Sequence, residues 1–210
     1  MPTLLIVNSS PRSNSVSSSL TRQFAQDWKA KHPDGLVMER NLSDTSIPLL
    51  NEAWIAAAYT PESHLSEEQR ALLALSDQLI GEVMAADVIL LGVPMHNFSV
   101  PAAFKAWIDQ IARVGKTFSY SDQGPKALIP ANKKVIAVVT RGGAFASEAS
   151  ASDHVAAYLR QVLGFVGLTD ITFVHADRQS MGAEAASRSV ATATLQIKSL
   201  FENYAAQQAA

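Results

Sequence analysis

Leu4-Leu5-Ile6-Val7-Asn8-Ser9-Ser10-Pro11-Arg12-Ser13-Asn14-Ser15-Val16-Ser17-Ser18-Ser19 decides the fold, because a short apolar run empties into eleven residues that hold seven serines and neither glycine nor lysine. A run of this length bounded by turn formers is the pattern of a buried strand. Beyond it, Leu20, Phe24 and Trp28 recur at helical spacing on one face, so the stretch is a β-α unit with its hydroxyls gathered at the helix N-terminus. The first backbone N–H groups of a helix have no intrahelical acceptor, and an anion binds readily there. A triphosphate loop would need glycines and a lysine, and a dinucleotide fingerprint would need G-x-G-x-x-G. Residues 4–19 carry neither, which makes a monophosphate the better guest. Serine is also a preferred N-cap residue, so the same stretch suits a plain helix cap.

The pattern continues outward from this unit. Leu36-Val37-Met38 is a weaker second strand, and Ser66-Glu67-Glu68-Gln69 is a capping box that opens a helix through Leu72, Leu79 and Val83,. Asp87 to Val93 is apolar without alternation, as a strand covered by helices on both faces should be,. Pro101 suits the first turn of a helix that carries Phe104, Trp107, Ile108 and Ile111,. Val135–Val139 and Ile171–Val174 supply two further strands around a helix from about Val155 to Leu163, and an Ala-rich helix runs from about Ala183 towards Phe201. Five strands alternating with helices predict a flavodoxin-like α/β fold: a doubly wound, five-stranded parallel sheet in the order 2-1-3-4-5, with helices on both faces.

Composition narrows the partners. The 210 residues carry no Pro/Gly/Ser-rich linker and are expected to form a single domain spanning 1–210,. A net charge of -2, from 17 basic and 19 acidic residues, offers no basic stripe for nucleic acid or an anionic membrane,. With no cysteine there is no disulfide, thiolate nucleophile or cysteine metal site,. The five histidines lack metal-ligand spacing,. No stretch approaches the roughly 18 to 20 apolar residues of a spanning helix, and the N-terminus lacks a signal-peptide pattern. A soluble, cytoplasmic protein that handles a small molecule is the expectation.

In a doubly wound sheet, ligands sit beyond the carboxyl ends of the strands. Three loops should converge there: Ser9–Ser19, Pro94–Val100 and Thr140–Phe145. Pro94-Met95-His96-Asn97-Phe98 gathers a thioether, an imidazole, an amide and an aromatic ring in five residues. Met95 and Phe98 can pack on a planar heterocycle while Asn97 and backbone groups address a ring edge; they equally suit an ordinary loop that plugs the core. Gly142-Gly143, after Thr140-Arg141, lets backbone N–H groups approach a ligand or simply makes a turn,.

Taken together, the three loops resemble the FMN-dependent NADH-azoreductase family of flavodoxin-like quinone and azo-compound reductases. The family's Ser-x-Ser is matched by Ser15-Val16-Ser17, with Ser10 at the preceding motif serine. Its Pro-Met-Tyr-Asn-Phe is matched by Pro94–Phe98 with His96 in place of tyrosine, and its Ser-Arg-Gly-Gly by Thr140–Gly143 with threonine in place of serine. Ala74–Asp77, Lys105–Asp109, Thr117-Phe118 and Leu163–Gly167 also look like family segments, so the resemblance covers nearly the whole chain. It implies noncovalent FMN, with phosphate on Ser10, Ser15, Val16 and Ser17 and the ring held by Met95, His96, Asn97 and Phe98. Thr140, Arg141, Gly142 and Gly143 would approach the ring's polar edge, with Arg141 reaching phosphate or standing in solvent.

The resemblance further implies a homodimer with active sites at the subunit interface, and a ping-pong cycle in which NADH or NADPH delivers hydride before a quinone or azo compound takes the electrons. No catalytic acid is required; Asn97 and His96 are candidate assistants, His96 through backbone and packing or through proton delivery. Phe98 and Phe118 are candidate stackers of substrate, and Phe118 is as well suited to the core. Two other classes share the cofactor, an electron carrier of flavodoxin type and a non-catalytic flavin-binding regulator. A serine hydrolase lacks the G-x-S-x-G elbow it would need,.

Overall fold

Leu4, Leu5, Ile6 and Val7 are at most 1% exposed, and their alternation organises both faces of the sheet. Leu5 and Val7 join one core cluster, Leu4 and Ile6 the other, as the two-residue period of a strand requires. The chain, a computed structural model, is described over residues 1–44, 46–145 and 152–208, with side chains as far as residue 200. In order it forms β1 (Thr3–Asn8), α1 (Val16–Lys31), β2 (Leu36–Asn41), α2 (Glu52–Tyr59), α3 (Glu67–Ala85), β3 (Val88–Pro94) and α4 (Ala102–Ile111). There follow β4 (Phe118–Ser121), β5 (Gly124–Ala127), β6 (Lys134–Thr140), α5 (His154–Val166), β7 (Asp170–Ala176) and α6 (Ala183–Gln208).

The large sheet runs β2-β1-β3-β6-β7, all pairs parallel. Counted among its own five strands this is the expected order 2-1-3-4-5. Helices α3, α4 and α5 cover the face of Leu5, Ile89 and Val135, while α1 and α6 cover the face of Leu4, Leu90 and Ile136. Two strands were not expected: β4 and β5 form a separate antiparallel hairpin. Phe118, at its base, is 7% exposed and packs against Phe165 at 4.6 Å between ring centroids. It therefore serves the core and does not present its ring for substrate stacking.

Helix ends follow the sequence signals. Ser15 caps α1 by accepting from the Ser18 N–H at 3.2 Å. Ser66 and Gln69 form the capping box of α3 in both directions. Gly167 ends α5 at φ 109°, a left-handed position where a side chain is strained,. In α3 the buried residue of the first turns is Leu73, not Leu72, which is exposed. Leu73 points to the side where α2 lies, joining Trp54 and Ala57 in a small satellite cluster.

Tyr158 of α5 places its hydroxyl in the protein without a hydrogen-bond partner among the described residues. Burial, with the nearby charge of Asp109 adding to it, pushes this phenol up to about 12 from an ordinary value of 10.0. The neutral phenol therefore contributes fully below the unfolded value near pH 10, and its contribution is lost as pH rises towards 12. Urea titrations across this range should show the parent losing stability steadily, and Tyr158→Phe should lose less. An identical slope in both proteins would refute the assignment.

Candidate functional site

The parallel register brings four strand exits to one edge: Asn8 lies opposite Gly92, Pro94 opposite Thr140, and Thr140 opposite Ala176. A cleft of about 320 Å³ opens there. Its walls come from the loop after β1 (Ser10, Arg12, Asn14, Ser15, Val16), the loop after β3 (Pro94, Met95, His96), the loop after β6 (Thr140, Arg141, Gly142) and the loop after β7 (Gln179, Ser180).

The serine loop has a division of labour. Ser9 is structural, its N–H and hydroxyl both bonded to the Gly92 carbonyl at 3.0 and 2.9 Å. Ser10 accepts from the Arg12 N–H at 3.3 Å. Ser15 is the N-cap and also lies 2.9 Å, oxygen to oxygen, from the buried Ser17 hydroxyl. The cap hydroxyl therefore lies at a helix N-terminus, where backbone donors and the helix dipole favour negative charge,. Ser17 stands behind Ser15 and does not itself line the cleft.

After β3 the chain makes a tight reversal. His96 and Ser99 exchange both backbone hydrogen bonds, at 2.9 and 3.0 Å, and the two residues between them, Asn97 and Phe98, have φ of 48° and 70°. Positive φ at both central positions is what a type I′ hairpin demands. Asparagine tolerates it; a bulky residue such as phenylalanine is a true outlier, at a cost of about 1–3 kcal/mol. The phenyl ring is 59% exposed, so core packing does not account for it. Asn97 and Phe98 form the tip of this hairpin and lie outside the cleft lining, as does Gly143.

Arg141 does not stand in solvent. Its side chain is 2% exposed, paired through Nη2 with Asp153 and through Nη1 with Asp177 at 3.0 Å. Nη1 also lies 2.9 Å from His175 Nδ1. The remaining donor, Nε–H, is buried beside the cleft with no acceptor among the described residues. Such a group costs about 1–3 kcal/mol unless a ligand satisfies it. The following glycine leaves room for the Ser180 hydroxyl: a Cβ on Gly142 would lie 2.9 Å from it and would require that hydroxyl to rotate away.

The loop after β7 escaped the sequence reading. It is bound edge to edge to the Arg141 loop: Arg178, Gln179 and Ser180 donate their N–H groups to the carbonyls of Gly143, Arg141 and Gly142 at 2.8, 3.0 and 3.0 Å. Its composition carries no signal, but the predicted strand order already places it beside the loop after β6. Ser10, Ser15, Val16, Met95, His96, Thr140, Arg141 and Gly142 are the predicted residues that meet in the cleft. Arg12 and Asn14 join them from the serine loop.

Residues 2–201 match the family model described as flavodoxin-like fold. The FMN-dependent NADH:quinone oxidoreductase 1 of Trichormus variabilis is 47% identical over 90% of this chain and 91% of its own length. The chain belongs to the FMN-dependent NADH:quinone oxidoreductase and azoreductase family. A second member, from Herminiimonas arsenicoxydans, is 40% identical over 95% of this chain and 98% of its own. Among solved structures, the azoreductase of Bacillus anthracis superposes with a TM-score of 0.85 at 26% identity, over 95% of this chain and 98% of that one.

The strained hairpin tip beyond the cleft lining is a feature that folding does not require. Phe98→Gly should leave stability to urea within about 1 kcal/mol of the parent, relief of backbone strain offsetting glycine's extra unfolded-state entropy. Truncating the fully buried Phe104 to alanine should cost about 3–5 kcal/mol. Equal losses from the two changes would show that Phe98 is a packing residue.

Proposed function

We propose that this protein is an FMN-dependent oxidoreductase that uses NADH or NADPH to reduce quinones and azo compounds. One observation carries the reading: a hydroxyl-lined helix N-terminus and a Met95–His96 wall meet in one cleft that Arg141 also lines, its Nε–H buried with no acceptor among the described residues. The donor set suits FMN. Ser10 and Ser15, with the first N–H groups of α1, would offer hydrogen bonds to a phosphate, and Ser17 would orient the Ser15 hydroxyl from behind,. Met95 and His96 supply a polarisable, planar wall, and the backbone of Thr140–Gly143 faces a ring edge that carries donors and acceptors. When bound, FMN supplies the acceptance of a hydride and the onward delivery of electrons.

The chain's own residues hold and orient. Both backbone hydrogen-bonding groups of His96 are committed to the hairpin, so we assign it a role through backbone and packing. Asn97, at the hairpin tip outside the cleft lining, is a candidate to favour negative charge on a reduced ring,. Residues 1–210 act as one domain, and the nucleotide donor, together with a cysteine-free sequence, assigns the protein to the cytoplasm. No helix among the described residues is long and apolar enough to cross a membrane.

We also propose a homodimer. Leu49, Ile55, Tyr59 and Tyr120 are large, apolar or aromatic, and exposed. The Tyr120 hydroxyl, at the β4–β5 hairpin, lies near enough to Tyr59 of α2 to raise its pKa. Light scattering should report twice the chain mass of 22.5 kDa, and a combined Ile55→Glu, Tyr120→Glu variant should fall to the single mass. A parent that is already monomeric would end this proposal.

The decisive experiment is anaerobic. Purified, FMN-loaded protein should bleach on adding NADH and recover its yellow band on adding a quinone; bleaching with no turnover would indicate an electron carrier instead. Replacing Ser10, Ser15 and Ser17 together with alanine should weaken FMN binding about 100-fold or more while changing riboflavin binding little, since charge-assisted hydrogen bonds to the phosphate are what is lost. Unaltered FMN affinity would remove the serine loop from the site. His96→Tyr should leave the pH profile of quinone reduction unchanged; a displaced profile would give the imidazole a proton-transfer role.

A further inference from the structure

Phe98 and Arg141 belong to different strand exits, yet both are tied to the first residues of α5. Asp153 caps that helix, its Oδ1 accepting from the N–H groups of Val155 at 2.9 Å and Ala156 at 3.4 Å. Its second oxygen, Oδ2, accepts from Arg141 Nη2. One residue on, the His154 N–H donates to the Phe98 carbonyl at 3.1 Å. The start of α5 therefore hooks the loop after β3 through backbone and the loop after β6 through a carboxylate.

Capping alone explains only half of this arrangement. Serine or asparagine would cap the helix as well as aspartate, but neither brings the charge that a buried guanidinium requires. Arg141 Nη1 also lies 2.9 Å from His175 Nδ1. Among the described residues, the carboxylates paired with Arg141 are Asp153 and Asp177. Asp177 is 17% exposed and Asp153 fully buried. Water can replace the first partner but not the second.

We infer that Asp153 is a positioning residue of this site. It fixes the loop after β3 and the loop after β6 in one relation to each other, acting through Arg141 and the Phe98 carbonyl without touching cofactor or substrate. Its consequence for turnover rests on the flavin reading above; its consequence for the loops does not.

Three variants test it: Asp153→Ala, Asp153→Asn, and Asp77→Asn, which perturbs another arginine pair outside the cleft, the buried Arg113 with the half-exposed Asp77. In flavin-free Asp153→Ala, hydrogen exchange should quicken about tenfold or more in peptides spanning 96–100 and 140–145 as well as at 154–157, while β1 and β3 stay protected. Faster exchange confined to 154–157 would reduce Asp153 to a helix cap and overturn the inference. In loaded protein, kcat per bound FMN should fall about tenfold in Asp153→Ala with the KM for NADH within about threefold, because misplaced loops cost the reaction more than binding.

Asp153→Asn, which caps the helix but brings no charge to Arg141, should restore slow exchange at 154–157 while keeping kcat per bound FMN within about threefold of Asp153→Ala; a full return to the parent kcat would overturn the inference. Asp77→Asn should match the parent in both measurements. Parent-like kcat per bound flavin in Asp153→Ala would also overturn the inference. If the parent took up no FMN, the functional reading would fall and the exchange experiment would still decide the role of Asp153.

Discussion

The hydrocarbon burial of β1, β3 and β6 on both faces is the constraint from which the rest follows. Strands that have no polar face cannot border water on either side, so helices must cover both, and parallel crossovers with a helix in each are the way to build such a sheet. Parallel pairing then sends every strand exit to the same edge. The backbone groups freed at those exits need partners, and they find them in one another: Ser9 on Gly92, Met95 on Thr140, Arg141 on Ala176, and the residues after β7 on the Arg141 loop. A cleft edged by fixed N–H groups and hydroxyls is the by-product of satisfying that requirement.

Much of this architecture is legible in the sequence because it is written in hydrophobicity and caps. The apolar runs mark the five strands of the large sheet, and the Ser66–Gln69 box marks the start of α3. What the sequence conceals has physical reasons. The β4–β5 hairpin is built from Phe-Ser-Tyr-Ser and Gly-Pro-Lys-Ala, too short and too polar for a two-residue period to register. Leu73 takes the inward place beside Leu72 only because α2 lies on that side. Gln179 and Ser180 enter the site through backbone bonds, to which composition is blind. The partners of Arg141 sit 12 and 36 residues away, a spacing with no regularity to read.

The cysteine-free composition gains a meaning beside the proposed chemistry. Quinones are electrophiles that add to thiolates, the nucleophilic form of cysteine. A chain with no thiol offers them no such target. The polar side chains that are buried, such as Ser17, Thr21, Gln110, Arg113, Arg141 and Asp153, are hydroxyls, an amide and ionic groups, none of them a thiol.

Phe98 shows how function can be located from energy before any ligand is known. A folded chain has no reason to hold a bulky residue at φ 70° with its ring in water, and selection for stability alone would replace it with glycine or asparagine. Redesign that optimises the folded state would choose this position early. The unfavourable conformation is itself the marker, and a search for residues that a fold tolerates without needing would lead to this hairpin tip, at the exit of the strand that feeds the cleft.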